Sequence, residues 1–167
     1  MRGIVAAALS LAVCTGANAS CLQELAIYKD AAANGELSFT QRDASTVDAT
    51  LARFTITFPE NNVVLDGVVM DAGEPFFRPL GMIMHNCPEG DATGDEIAAC
   101  TVWQGIVYGL DKKGSVSYLA ATNESKTAAS TLLFPDLGAA VQMSTAFGAG
   151  KLSASPKDDF KQSACLE

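Results

Sequence analysis

Apolar and polar residues alternate in Phe54-Thr55-Ile56-Thr57-Phe58, the period of a strand with one face in the core and a polar outer face. Pro59-Glu60-Asn61-Asn62 turns the chain, and Val63 to Met70 follows as a second strand. Its Asp66-Gly67 reads as a glycine bulge, because a turn there would leave arms too short to pair well. After the Gly- and Pro-containing segment 71–79, residues Leu80 to Asn86 and Thr101 to Leu110 give two more strands. Asp111-Lys112-Lys113-Gly114 is then a hairpin turn, with glycine where positive φ is needed, leading into a strand from Ser115 to Ala120.

Helical spacing is read at the two ends. Ser20 with Gln23 has the form of a capping box, and Leu22, Leu25 and Ala26 form one apolar stripe up to Asn34-Gly35, a left-handed stop. Ala128, Ala129, Leu132 and Leu133 suit a short helix, which Pro135 interrupts before Leu137, Ala140 and Val141 suggest another. The tail from Gly148 to Pro156 is loop-like, and no internal repeat is present. The sum predicts an α+β fold: an antiparallel sheet of about five or six strands, an N-terminal helix, one or two short C-terminal helices and two disulfides.

The first residues carry a different signal. Arg2, the apolar run from Ile4 to Val13 and the small-x-small Ala17-Asn18-Ala19 predict a Sec signal peptide over residues 1–19, cut after Ala19. The apolar run is about half the length of a membrane-spanning helix, so no transmembrane segment is expected. Leu11-Ala12-Val13-Cys14 approaches a lipobox, but Val13 stands where a small residue belongs, so no lipid anchor is expected. Residues 20–167 are then one disulfide-bonded domain, periplasmic or secreted.

Within that span are Cys21, Cys87, Cys100 and Cys165, an even set in an exported chain, which argues for two disulfides. Three pairings exist. Cys87 with Cys100 and Cys21 with Cys165 are favoured, the first as a short local loop and the second as a tie between the ends. Structural zinc sites space their cysteines by two to four residues, and none here is so spaced.

The chain has a net charge of -8, which opposes binding to nucleic acid. The charge is uneven. Between Phe54 and Asp111 stand Glu60, Asp66, Asp71, Glu74, Glu89, Asp91, Asp95, Glu96 and Asp111, against Arg78 alone. Such a stretch keeps a protein dissolved, or attracts a cation or a basic protein.

Motifs for chemistry are few. His85 is the single histidine, so a triad or a multi-histidine metal site would have to use it. No serine is flanked by glycines at the spacing of a hydrolase nucleophile, and Gly148-Ala149-Gly150-Lys151 fails as a phosphate loop at Thr145 and Leu152. Met82, Met84 and His85 are soft donors suited to Cu(I), but strand alternation puts the methionines on the face opposite His85 and Cys87. Residues 91–96 offer alternating oxygens faintly like a calcium loop, with glycine one place early; otherwise Asp95 and Glu96 open a short helix through Ile97, Ala98 and Ala99. Asp66, Asp71 and Glu74 could supply a glycosidase pair only if folding brings two together. Trp103, Tyr108 and Tyr118 are read as core before platform, and Phe76-Phe77-Arg78 as an interface loop.

No cofactor is implied. The expected function is a non-enzymatic module that binds a protein or a cationic ligand, with Phe76, Phe77, Arg78, Asp91, Asp95 and Glu96 as its surface. A metal-handling protein, taking calcium through 91–96 or copper through Met82, Met84 and His85, is the alternative. A carboxylate hydrolase is the distant third.

Overall fold

A computed structural model describes residues 20–40, 49–71, 73, 78–119, 126–145 and 152–166. Among these are ten strands: β1 Ala26–Asp30, β2 Gly35–Thr40, β3 Thr50–Phe58, β4 Val63–Asp71, β5 Pro79–Met84, β6 Thr101–Ile106, β7 Tyr108–Leu110, β8 Val116–Tyr118, β9 Thr131–Leu133 and β10 Asp159–Cys165. Two short helices accompany them, α1 Gly94–Cys100 and α2 Leu137–Met143. The strands form one sheet in the order β6-β5-β4-β3-β2-β1-β10-β9-β7-β8, every pairing antiparallel.

That order nearly closes on itself. β6 stands at one end and β7 beside the other, yet only Val107 separates them in the chain. Trp103, Val107 and Gly109 are buried at alternate positions, so residues 101–110 run as one extended segment, its first half paired to β5 and its second to β9. The result is a barrel-like sheet whose first and last strands, β1 and β10, lie side by side. α2 packs against β6, and Trp103 Nε1 donates to the Pro135 carbonyl at 2.8 Å.

The expected α+β fold of five or six strands is therefore overturned. The stripe of Leu22, Leu25 and Ala26 ends in a single 3-10 turn, Gln23–Leu25, after which Ala26, Tyr28 and Asp30 point inward at a period of two. Asn34, at φ 52, is a residue of the β1–β2 turn rather than a helix stop. Asp30 disguises this strand, being an acid on its core face. Its carboxylate accepts the Ala32, Ala33 and Lys157 N–H groups, so burial costs it no hydrogen bond.

At the other end, the predicted helix through Leu132 and Leu133 is β9, because Leu132 enters the core between β7 and β10. The second predicted helix forms as α2 and buries Leu137, Gly138 and Val141. Asp158 accepts the Asp136 and Gly138 N–H groups, satisfying donors that a helix start leaves unpaired.

β4 is a single strand, but its register with β3 is unbroken at Gly67, and the irregularity lies at Thr50/Ala52 instead. Gly67 serves space: a Cβ there would collide with the Phe54 ring. Ring by ring, aromatic contacts run from Tyr28 through Phe39 and Phe54 to Phe134, which also meets Trp103 and Phe160. These side chains fill the interior. Tyr28 is buried among them, and desolvation pushes its hydroxyl pKa up to about 12, partly offset by a hydrogen bond from Gln23.

Two disulfides are present. Cys21–Cys165 spans a sequence separation of 144 with Cα atoms 5.8 Å apart, and Cys87–Cys100 one of 13 with Cα atoms 5.2 Å apart. The first fastens the β1–β10 seam, where Ala26 faces Cys165. No helix among the described residues is long and apolar enough to cross a membrane.

Candidate functional site

Among the described residues, exposed polar groups border a concavity at each end of the segment 101–110.

The N-terminal place is the acidic loop between Cys87 and Cys100. The disulfide and a hydrogen bond from His85 N–H to the Cys100 carbonyl close its base. Within the loop, Thr93 caps α1: the Glu96 carboxylate accepts both the Thr93 N–H and its hydroxyl at 2.8 Å, and the Thr93 oxygen accepts the Glu96 N–H. These bonds hold the Glu96 carboxyl below its ordinary pKa. The expected helix start at Asp95 and Glu96 is thus real, and the Glu96 oxygens are engaged by the cap. Asp91 and Asp95 are exposed beside it, with Glu89.

A shallow hollow of about 260 Å³ separates this helix from the end of β5, lined by His85, Asn86, Pro88, Glu96, Ala99 and Cys100. The His85 Nδ1 lies 3.1 Å from the Val64 carbonyl and its Nε2 3.1 Å from the Asn86 amide nitrogen. Both ring nitrogens are thereby engaged.

The remaining predicted residues are scattered. Met82 and Met84 lie on the half-exposed outer face of β5, while Ile83 points inward. No group of three or more His, Cys, Asp or Glu residues that could hold a metal ion occurs among the described residues. Asp66 stands on the outer face of β4 opposite Thr55 and Met84, whereas Asp71 ends that strand and accepts the Gly73 N–H. Five residues of strand put them about 17 Å apart along the chain, beyond the separations glycosidases use. Trp103 is core. Arg78 is exposed at the start of β5, and Phe76, Phe77 and Glu74 lie outside the described residues.

The C-terminal place was not foreseen as a site. β7 and β8 form a hairpin whose turn is held by Asp111: its carboxylate accepts the Lys113 N–H at 2.7 Å and the Ser115 N–H at 2.9 Å, which lowers its pKa. Gly114 has φ +83, as the turn requires. Between this hairpin and the segment 126–129 is a cleft of about 220 Å³, lined among others by Gly109, Ser117, Tyr118, Lys126, Ala128 and Ala129. Gln23 props its floor: its amide donates to the Tyr28 hydroxyl and accepts the Ala129 N–H, and that hydroxyl donates to the Ala129 carbonyl. Ala128 and Ala129, whose small side chains suit a helix, lie outside any helix, with Ala129 against Gly109.

No family model, no curated protein and no solved structure matches this chain.

Proposed function

We propose that the protein is an exported, non-enzymatic binding module of an oxidising compartment, the periplasm or the cell exterior, which holds a basic protein or other cationic ligand at its acidic loop. The observation that carries this reading is the contrast between a barrel filled with aromatic rings and an exposed acidic loop fixed at both ends by a disulfide. A covalently closed loop presents Asp91 and Asp95 with less conformational entropy to lose on binding. The disulfides, and the signal-peptide pattern of residues 1–19, support export.

The test is a pull-down from periplasmic extract with the oxidised protein against a variant carrying Asp91→Asn, Asp95→Asn and Glu96→Gln. Glutamine can still serve a capping box, so the variant keeps α1 and loses only charge. Loss of the captured partners supports the reading, and an unchanged set of partners removes this face from it. Intact mass supplies the export arm: a polypeptide beginning at Ser20 and lacking four thiol hydrogens is expected.

A further inference from the structure

β8 is the last strand of the sheet order, paired to β7 alone among the described residues. All three of its residues are exposed, with Val116 at 62% and Tyr118 at 44%. The ladder fixes what its outer edge offers. Asp111 N–H donates to the Ser115 carbonyl and Leu119 N–H to the Val107 carbonyl. Antiparallel pairs alternate between bonded and non-bonded, so Gly109 and Ser117 are the bonded pair between them. The main-chain groups of Val116 and Tyr118 therefore point away from β7, two donors and two acceptors in a row.

Three further features meet at this edge. The side chains of Val116 and Tyr118 share one face and are exposed, the Tyr118 ring lying 5.8 Å from that of Tyr108. On the other face, Ser117 borders the cleft of about 220 Å³ with its small-residue floor, room for one modest side chain. Lys112 and Lys113 are exposed side by side in the turn, bases in a chain whose net charge is -8. Asp111, the one acid of the turn, is directed onto the Lys113 and Ser115 N–H groups.

We propose that the β8 edge docks an extended segment of a partner protein, apolar at the positions that meet Val116 and Tyr118 and acidic toward its C-terminal end. Strand addition takes its affinity from main-chain hydrogen bonds and its selectivity from alternate side chains. An antiparallel addition, in keeping with the rest of the sheet, brings the C-terminal end of the segment beside the β8 N-terminus, where Lys112 and Lys113 stand. A small side chain opposite Ser117 enters the cleft. Because this surface shares no residue with the acidic loop, the failure of one leaves the other standing.

The probes are two fluorescein-labelled peptides, Thr-Val-Ala-Val-Thr-Asp-Glu and its counterpart ending Lys-Lys, titrated against the oxidised protein by fluorescence anisotropy at low salt. The acidic peptide is expected to bind about ten-fold tighter than the basic one. Val116→Pro removes an N–H that β7 does not use, a change tolerated on edge strands, and is expected to weaken binding about ten-fold with the melting temperature unchanged. Lys112→Glu with Lys113→Glu is expected to reverse the preference between the peptides. Exchange protection appearing at the Val116 and Tyr118 amides on adding the acidic peptide supports the same geometry. Equal affinity for the two peptides, or binding indifferent to Val116→Pro, overturns it. So does a dimer that Val116→Pro dissociates, since a second copy would then occupy the edge.

Discussion

The two ends of the segment 101–110 are built differently. At its N-terminal end a disulfide closes the acidic loop, and a capping box sets the helix inside it. About 30 Å away by strand rise, the β7–β8 hairpin has no covalent brace and relies on a short ladder and the Asp111 turn. One end displays fixed charge; the other displays backbone groups that no strand among the described residues pairs. Sharing one strand, they are positioned by a single piece of sheet while differing in what could loosen them.

Breaking the seam that serves both ends should have the largest effect. Cys21→Ser with Cys165→Ser removes a tie across most of the chain, worth about 5 kcal/mol in the chain-entropy model, and guanidinium unfolding should lose that much at both ends together. Cys87→Ser with Cys100→Ser should cost about 3 kcal/mol, and here the comparison sharpens: hydrogen exchange should rise through 88–99 and stay unchanged at Val116–Tyr118. Thr93→Ala removes the helix cap and should cost about 1 kcal/mol, read as lost protection at the Glu96 amide.

Acid should give the smallest effect, and it reaches both ends. Both Glu96 and Asp111 have pKa values lowered in the folded protein, so their stabilisation is full above the unfolded values and fades as pH falls through the folded ones. Amide exchange across a titration from pH 5 to pH 2 should therefore register lost protection at α1 and at the hairpin turn as their carboxylates take up protons.

Reading the chain without its fold recovered what local chemistry dictates. Phe54, Ile56 and Phe58 gave away β3, Asp111 to Gly114 the hairpin, Asp95 and Glu96 the start of α1, and cysteine spacing the two bridges. What escaped depends on partners distant in sequence. β1 carries Asp30 inward, an acid whose acceptors are filled by a turn and by Lys157, so its alternation is invisible to a hydrophobic pattern. β9 and β10 each present a single fully buried large side chain, Leu132 and Phe160, too few for a period. Of the candidate surfaces the acidic loop was legible as charge, whereas the cleft was not, because it needs Gln23 and Ala129 to meet across the chain.

The nested bridges impose an order on maturation. On the proposed export, with residues 1–19 removed, a chain threading into an oxidising space with its N-terminus leading exposes Cys21 first, then Cys87 and Cys100, and Cys165 last. An oxidant joining thiols as they emerge would link Cys21 to Cys87, the wrong partner for both. Native pairing of first with last therefore requires that Cys21 wait for the entire polypeptide or be reshuffled by thiol exchange. Secretion yield should accordingly depend on a host's isomerising capacity more than on its oxidising power.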